Sequence, residues 1–433
     1  MKDTKKNVLI VGSGGREHAL GWKLSQSNLV RKTFFAKGNG GTSENINITP
    51  LQIDNLACFA EKYECLTVVG PEDPLCVGIV DSFVDKDLKI FGPTKKASLL
   101  ESSKVFAKQF MNEKGILTPN FRTFVDPESA KDYVVRQKKK LVIKADGLAA
   151  GKGAIVCDNI EEALDAVDLI MVKNEFGIAG SKILIEDRLF GEEVSFIALC
   201  DGKTVVPLAS SQDHKRLLDN DRGPNTGGMG SYSPAPIIDN ELHQKIMTLI
   251  MEPVISGMTD EGNPFKGFLY AGIIVERESR KPYVLEFNVR MGDPECQPIM
   301  MRMNSDLFEY LNAAVDERLD SMPPIQWKDQ FAVCVVMAAK GYPGKYQKGK
   351  LIEGLDSNFN QDTMVFHAGT SRDAQNRILT DGGRVLSVTS LSFNASEAIK
   401  KAYSVVNKIS WGNNDQYYRT DIARNALDRR LEI

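Results

Sequence analysis

The strongest concentration of chemically useful side chains lies in one predicted strand near residue 286. Glu286, Asn288 and Arg290 are spaced two residues apart, and residues two apart on a strand share a face. The intervening residues, which would then face a hydrophobic core, are Leu285, Phe287 and Val289. A carboxylate and an amide oxygen are hard ligands of the kind that Mg²⁺ prefers. The spacing therefore predicts a metal site at Glu286 and Asn288.

On this strand alone, a polar edge that faces water is an equally good interpretation. Asp293 and Glu295 follow Arg290 on a predicted tight turn, and these two carboxylates shift the interpretation toward a site. Arg290 could neutralise charge that develops on a transferred phosphoryl or acyl-phosphate group.

Two glycine-rich loops have the composition of phosphate-binding loops. The first, Gly12 to Glu17, follows a predicted strand and opens a helix, where backbone N–H groups can approach an anion. Glu17 stands where a dinucleotide fingerprint needs its third glycine, and no acidic residue ends the second strand. A nicotinamide cofactor is therefore disfavoured. A phosphate of a smaller ligand and a tight packing turn both remain as interpretations.

The second loop, Gly147 to Gly153, resembles a P-loop but departs from it. It is one residue short, and Lys152 is followed by Gly153 instead of Ser or Thr. With Lys144 on the preceding strand, it suits a lid over nucleotide phosphates, since lysine supplies a point charge and glycine permits close approach.

The elements that must position these groups fall into several domains, because 433 residues allow two to four. Residues 7–92 alternate strands with helices, which predicts a doubly wound parallel sheet. Residues 97–115 are expected to form one amphipathic helix. The overall class is α/β and α+β multidomain. The predicted limits are 1–102 for an N-terminal α/β domain, 103–120 with 191–325 for a central core, 121–190 for a mobile lid subdomain, and 326–433 for a small strand-rich C-terminal domain.

Charge, hydropathy and cysteine spacing indicate which kinds of binding partner to expect. The net charge is −3, from 54 basic and 57 acidic residues, and no basic stripe stands out, so nucleic acid is not expected. No apolar run is long enough to span a bilayer, so no membrane contact is expected. The seven cysteines lack CxxC spacing, which fits a reducing cytoplasm. We expect a cytoplasmic monomer or dimer that acts on small molecules.

Six stretches occur in a recognisable order along the chain. They are Gly12–His18, Val69–Leu75, Lys144–Gly153, Gln212–Arg216, Gly223–Gly230 and Arg290–Glu295. Together they resemble the ATP-grasp superfamily and, more narrowly, the phosphoribosylamine–glycine ligase family. Two departures are local: Met291 stands where the family usually has Phe, and Ala423 stands where Gly is usual.

The resemblance implies a reaction in de novo purine synthesis. ATP, glycine and 5-phosphoribosylamine would give ADP, phosphate and glycinamide ribonucleotide through a glycyl phosphate, with Mg²⁺ or Mn²⁺ as cofactor. The alternatives are another ATP-grasp carboxylate–amine ligase or carboxylase with a different acceptor, a non-catalytic nucleotide-binding protein, and a dehydrogenase.

The resemblance also implies roles for individual residues. ATP would be bound by Lys104, Lys144, Gly147, Gly151, Lys152, Gly153, Glu186, Asp187, Leu189 and Glu193. The other substrates would be held by Gly14, Gly15, Arg16, Glu17, Glu72, Asp73, Asn225, Thr226, Gly227, Gly228, Asp293 and Glu295. The catalytic residues would be Arg290, Asp213 and Lys215, and the metal ligands Glu286 and Asn288, with Glu276 as a possible further ligand. For His214, structural hydrogen bonding and acid–base work both remain open.

Overall fold

An apolar run at residues 8–11 forms the centre of a parallel sheet. In the computed structural model, which describes residues 5–148, 153–356 and 360–428, all four side chains of this run are fully buried. Burial on both faces is typical of a parallel sheet covered by helices on both sides. The strands, in spatial order, are Asn45–Ile46, Val30–Lys37, Lys6–Gly12, Cys65–Val69 and Ile90–Phe91. The helices of this part are Gly15–Leu24, Ile53–Lys62, Glu72–Val77, Ile79–Val84 and Leu99–Ser102.

The strand order of this sheet reverses between Lys6–Gly12 and Cys65–Val69, so the predicted doubly wound parallel sheet is confirmed. In such sheets the crevice for ligands lies at the carboxyl ends of the two strands that flank the reversal. The helices that follow these two strands begin at Gly15 and Glu72, so Arg16 and Glu72 both lie in a first helical turn. The topology therefore brings an arginine and a glutamate that are 56 positions apart to one edge of the sheet.

The central core is built on an antiparallel sheet. Its strands, in spatial order, are Val205–Pro207, Gly191–Asp201, Lys266–Glu276 and Pro282–Asn288. The helices that cover it are Lys104–Glu113, Asn240–Ile246, Glu252–Asp260, Cys296–Arg302 and Leu307–Val315. A π-helical turn, Met247–Met251, joins the second of these helices to the third, and a short 3₁₀ helix, Leu319–Ser321, follows the last.

The last strand of this sheet carries a β-bulge at Leu285. Gly272 pairs with Glu286, whereas the next residue, Ile273, pairs with Val284, so Leu285 is the extra residue. The predicted alternation is wrong at Leu285, which is half-buried and lines a cavity instead of the core. The core-facing residues are Val284, Phe287 and Val289.

The segment predicted as one helix over 97–115 contains two helices, so that prediction is wrong. They are Leu99–Ser102 and Lys104–Glu113. Ser103 between them has an extended backbone, with φ −130° and ψ 108°. Its hydroxyl accepts a hydrogen bond from Phe106 N at 3.1 Å and donates one to Asp146 Oδ1 at 3.1 Å. The serine therefore caps the second helix and ties its start to the strand that carries Lys144.

A separate antiparallel sheet with its own hydrophobic core forms between residues 121 and 187. Its strands, in spatial order, are Phe121–Phe124, Ile183–Asp187, Leu141–Ala145 and Ala154–Cys157. Its helices are Pro127–Gln137 and Ile160–Val167, followed by the π-helical turn Asp168–Val172 and the 3₁₀ helix Gly177–Ser181. The core includes Ile143, Ile185 and Val167, which are at most 1% exposed. This sheet stands where the lid subdomain was predicted.

The C-terminal sheet recruits two strands from the middle of the chain. Its main strands, in spatial order, are Gln212–Asp213, Gly230–Ser233, Phe331–Ala339, Arg384–Ser392 and Thr363–His367, and Gln416–Tyr417 pairs with the third. Three two-stranded ribbons accompany it: Arg216–Leu218 with Arg222–Asn225, Ile352–Glu353 with Ser410–Trp411, and Thr370–Arg372 with Ile378–Thr380. The helices are Ala395–Val406 and Arg424–Asp428. The sheet thus spans the predicted limit at residue 326.

Ala423 has a left-handed backbone conformation, with φ +66°. A non-glycine residue there costs roughly 1–2 kcal/mol, whereas glycine costs roughly 0.5–1 kcal/mol more than alanine in lost chain entropy. We expect Ala423→Gly to raise the free energy of unfolding by about 0.5–1 kcal/mol, measured from urea transitions. Ala426→Gly, in the adjoining helix, is the matched control and should destabilise by about 1 kcal/mol. A423G at or below wild-type stability would contradict the expectation.

Candidate active site

A cavity of about 1200 Å³ lies where all four parts of the fold meet. Most of the predicted site residues line it: Arg16, Glu72, Lys104, Lys144, Gly147, Gly153, Glu186, Asp187, Leu189, Glu193, Asp213, Lys215, Asn225, Thr226, Gly227, Glu286, Asn288, Arg290, Asp293 and Glu295. The predicted residues that do not line it are Gly14, Gly15, Glu17, Asp73 and Gly228. Gly151 and Lys152 lie outside the described residues.

Glu17 supports the first glycine-rich loop and does not face the cavity. Its carboxylate accepts hydrogen bonds from Gly14 N at 2.5 Å and Arg16 Nε at 2.6 Å, and the residue is 2% exposed. A Cβ atom on Gly70 would lie 2.0 Å from Glu17 Oε1, so the neighbouring loop leaves room only for glycine. The residue that breaks the dinucleotide fingerprint therefore caps the first helix and orients Arg16.

A buried carboxylate between two lysines joins the lid sheet to the central core. Glu186 Oε2 lies 2.9 Å from Lys144 Nζ, and Glu186 Oε1 lies 3.1 Å from Lys108 Nζ. Burial lowers the pKa of Lys108 to about 8, although Glu186 opposes the shift. Lys144 also donates to Leu285 O, on the bulge, at 3.0 Å. These contacts hold Lys144 at the cavity wall.

Sequence reasoning did not find Lys108. Its helix starts at Lys104, whose Nζ donates to Gly147 O at 3.0 Å, and residues four apart share a helix face. The spacing of Lys104 and Lys108 was therefore a usable signal, which the prediction of one longer helix obscured.

Lys215 lies between two carboxylates on the cavity wall. Its Nζ is 2.8 Å from Glu193 Oε2 and 3.8 Å from Asp213 Oδ1. Burial raises the pKa of Asp213 to about 7, Lys215 opposes this, and the nearby carboxylate of Glu295 adds to it. Asp213 therefore gains and loses its proton close to neutral pH, whereas Lys215 stays charged because these carboxylates raise its pKa despite its burial.

Arg290 connects the N-terminal part of the chain to the predicted metal strand. Its Nη2 donates to Glu101 Oε1 at 2.8 Å and to Asn288 Oδ1 at 3.1 Å, and its Nε donates to Glu72 Oε2 at 3.1 Å. Burial raises the pKa of Glu101 to about 7 against the effect of Arg290. For Glu72, burial is overcome by Arg290 and Arg16, and the pKa falls to about 2. Glu101 carried no motif in the sequence and was missed.

Glu286 offers an unengaged carboxylate to the cavity. Burial would raise its pKa, but Lys215, Lys144 and Lys104 outweigh burial and keep the pKa below its usual value. Among the described residues, none donates a hydrogen bond to this carboxylate. The oxygen of Asn288 lies two residues further on the same strand. An ionised carboxylate and an amide oxygen at a cavity wall fit a hard divalent cation.

Glu276 does not belong to this oxygen set, so the expectation that it is a further ligand is wrong. The residue that pairs with Glu286 on the neighbouring strand is Gly272. Glu276 lies four residues further along, about 13 Å away at the usual rise per residue. Its carboxylate accepts a hydrogen bond from Ser279 Oγ, and it does not line the cavity.

The C-terminal part of the chain contributes two cavity residues that sequence reasoning missed. Arg384 Nη2 lies 3.3 Å from Asp293 Oδ2, and Tyr342 Oη accepts a hydrogen bond from Gly227 N at 3.0 Å. Neither residue belongs to a recognisable motif. Tyr342 lies 115 positions from Gly227, and Arg384 lies 91 positions from Asp293. Such long-range contacts leave no local pattern to read.

His214 lines the cavity, but its ring is engaged in a structural contact. Its Nε2 accepts a hydrogen bond from Ala423 N at 3.1 Å, and the residue is 5% exposed. Of the two interpretations left open by the sequence, this contact supports structural hydrogen bonding.

Comparison with known families agrees with this architecture. Residues 6–101 match the N domain of phosphoribosylglycinamide synthetase, residues 102–296 match its ATP-grasp (A) domain, and residues 332–425 match its C domain. The predicted fold, with an N-terminal parallel sheet, a central ATP-grasp unit and a C-terminal domain, is confirmed.

Individual relatives match over nearly the whole chain. Phosphoribosylamine–glycine ligase of Vibrio parahaemolyticus is 49% identical and covers 98% of this chain and 99% of its own length. That of Neisseria meningitidis serogroup B is 50% identical and covers 98% and 100%. The crystal structure of the Thermotoga maritima phosphoribosylamine–glycine ligase superposes with a TM-score of 0.83 at 34% identity, covering 96% of this chain and 99% of that one. The resemblance carried by the six stretches is therefore confirmed, and the chain belongs to the phosphoribosylglycinamide synthetase family.

Proposed function

We propose that the chain is an ATP-dependent ligase that joins glycine to 5-phosphoribosylamine in purine biosynthesis. The observation that carries the proposal is one cavity in which buried lysines, an unengaged carboxylate and an arginine-bearing loop converge. Relatives named phosphoribosylamine–glycine ligase, 48–50% identical over 98% of the chain, support the choice of substrates.

The chemical difficulty is that a carboxylate is a poor acyl donor. In the first step, a glycine carboxylate oxygen forms a bond to the γ-phosphorus of ATP, and the bond between that phosphorus and the ADP oxygen breaks. In the second, the amine nitrogen of phosphoribosylamine attacks the acyl carbon, phosphate leaves, and the nitrogen loses a proton. The protein's contribution is positioning and charge neutralisation.

Side chains from the lid and the core hold the nucleotide. Lys104 and Lys144 bind the phosphates, and Glu193 binds the ribose hydroxyls. The phosphate loop includes Gly147 and Gly153, together with the predicted Gly151 and Lys152. Backbone groups of Glu186, Asp187 and Leu189 bind adenine. A divalent cation, Mg²⁺ or Mn²⁺, held by Glu286 and Asn288 would supply further neutralisation of phosphate charge.

The opposite side of the cavity holds the other two substrates. Asp213 and Lys215 present an anion and a cation to the ammonium and carboxylate of glycine, and the loop of Asn225, Thr226, Gly227 and Gly228 encloses it. Arg290 faces the acyl phosphate. Arg16, fixed by Glu17 and by a hydrogen bond to Met291 O at 3.1 Å, holds the phosphoribosyl group. The remaining substrate residues proposed are Gly14, Gly15, Glu72, Asp73, Asp293 and Glu295.

Asp213→Asn tests the placement of glycine. A hydrogen bond to a charged group is worth about 1.5–3 kcal/mol, so the KM for glycine should rise about 10- to 100-fold, while the KM for ATP changes less than about threefold. In the wild type, the KM for glycine should also rise as pH falls below about 7, because protonation removes the charge of Asp213. Initial rates between pH 6 and 8 measure both effects. A larger change in the KM for ATP than in that for glycine would refute the placement.

The function itself is tested by ADP release from the purified protein. Release should require glycine and freshly generated 5-phosphoribosylamine together, and mass spectrometry should identify glycinamide ribonucleotide as the product. Release with bicarbonate, or with a different amine in place of phosphoribosylamine, would instead identify a related carboxylase or ligase. Release that ignores both substrates would refute the proposal.

We propose that the enzyme works in the cytoplasm, as a monomer or dimer, on small molecules alone. All seven cysteines are free, which supports a reducing compartment. Among the described residues, no helix is long and apolar enough to cross a membrane.

A further inference from the structure

One guanidinium from the C-terminal part of the chain connects two loops of the cavity. Arg384 Nη1 donates hydrogen bonds to the carbonyl oxygens of Gly227 and Asp293, and its Nη2 lies 3.3 Å from Asp293 Oδ2. Arg384 begins the strand Arg384–Ser392, which is paired on both sides in the C-terminal sheet. The guanidinium therefore projects from a rigid element onto two segments that have no regular secondary structure.

We propose that Arg384 is a positioning residue that fixes the acceptor side of the cavity. The proposal rests on the proposed function, because it concerns the loop that encloses glycine and the carboxylate of Asp293. Arg384 does not need to touch a substrate for this role. It acts through the two loops that it holds.

The first of these loops leads directly to the glycine-binding pair. Thr226 N and Thr226 Oγ1 both donate to Lys215 O, at 2.8 and 2.9 Å. Gly227 is held by Arg384 on its carbonyl and by Tyr342 Oη on its N–H. A displacement of Gly227 would therefore move Thr226, which is hydrogen-bonded to the backbone of Lys215.

The second loop, which contains Asp293, packs closely against the first at Gly228. Gly228 has φ +106°, and a Cβ atom there would lie 2.5 Å from Pro294 Cδ. Asp293, which precedes that proline, also accepts a hydrogen bond from Gln297 Nε2 at 3.2 Å. Burial raises the pKa of Asp293, but Arg384 and Arg16 outweigh it and keep the carboxylate ionised. Arg384 Nη1 also donates to Gly228 O at 3.4 Å. A bidentate guanidinium suits this set of three carbonyls and a carboxylate better than an ammonium does.

The test compares Arg384→Met and Arg384→Lys with Arg377→Met. Arg377 lies in the same part of the chain and is exposed. Within the described part of the chain its guanidinium pairs only with nearby Asp373, so its variant controls for the loss of an arginine. For Arg384→Met we expect kcat/KM for glycine and for phosphoribosylamine to fall about 30-fold, while the KM for ATP changes less than about threefold. Arg384→Lys should recover part of the loss, and Arg377→Met should behave as wild type.

Hydrogen exchange in the ligand-free protein gives a second readout that does not depend on the reaction. Amides of residues 226–230 should exchange at least about tenfold faster in Arg384→Met, with the remote core strand Lys266–Glu276 unchanged. If the wild type lacks the ligase activity, the proposed function fails while this exchange result still tests Arg384. Unchanged exchange in this loop, faster exchange everywhere, or equal losses for ATP and glycine would each overturn the positioning role.

Discussion

Replacing Glu286 with glutamine is expected to lower kcat about 1000-fold, which corresponds to about 4 kcal/mol of transition-state stabilisation. The substitution keeps the shape of the side chain and removes the charge toward which Lys104, Lys144 and Lys215 are arranged. It also removes one of the two oxygen ligands proposed for a divalent cation. The unfolding free energy should stay within about 1 kcal/mol of wild type, because no described residue donates a hydrogen bond to this carboxylate.

Glu276→Gln is the matched control for this prediction. It makes the same change on the adjacent strand, at a residue that contacts Ser279 and does not line the cavity. Turnover is measured from steady-state rates, and Mn²⁺ binding is measured by electron paramagnetic resonance. Both should be normal in Glu276→Gln, and both should be lost in E286Q. Near-normal turnover by E286Q would rule out a metal-binding role for this residue.

Replacing Arg290 with methionine is expected to damage both catalysis and stability. Its guanidinium contacts Glu72, Glu101 and Asn288, so removal leaves two largely buried carboxylates without their main cation. Breaking one side of a buried ion pair costs about 3–5 kcal/mol. Loss of an arginine that neutralises phosphoryl charge lowers kcat by about 10³-fold or more.

The stability deficit of Arg290→Met should grow as pH rises from about 5 to about 8. In the wild type, the depressed pKa of Glu72, about 2, contributes stability that is present above its unfolded value of about 4.5 and lost at lower pH. Without Arg290, burial is less opposed and the pKa values of Glu72 and Glu101 both rise. A carboxyl group with a raised pKa loses its contribution as pH rises through that value.

Urea unfolding at pH 5 and pH 8 measures this difference. Arg277→Met, at an exposed position, controls for the loss of one positive charge and should show no such trend. Arg290→Lys should lose less stability than Arg290→Met, because it keeps the charge. A deficit that is the same at both pH values would show that the two carboxylates do not depend on Arg290.

The sequence was sufficient to locate the cavity, because local spacing carries its main residues. Glu286 and Asn288 stand two apart on a strand, and Lys144 lies on the strand before the second glycine-rich loop. The sequence was insufficient wherever the position of a side chain depends on a partner that is distant along the chain. The bulge at Leu285 is set by pairing with the neighbouring strand, and Glu101 reaches Arg290 across 189 positions.

The helix break at Ser103 is a different kind of error. A serine directly before a helical run is a recognised start signal, so the information was present. The apolar spacing across 97–115 predicts one helix, whereas the serine cap indicates a helix start at Lys104. With the helix start misplaced, the spacing of Lys104 and Lys108 was not recognised, and Lys108 was missed.

The pairing of the strand Gly230–Ser233 with the strand Phe331–Ala339 has a consequence for how the enzyme is made. Ser231 pairs with Cys334, so the loop that ends at Gly230, which we propose encloses glycine, is anchored by a strand that is synthesised about a hundred residues later. When only the first 330 residues have left the ribosome, the nascent chain contains Lys104, Lys144 and Glu286, but not the strand that fixes this loop. If the loop has the proposed role, competence to transfer phosphate to glycine should appear only after the strand Phe331–Ala339 has been synthesised.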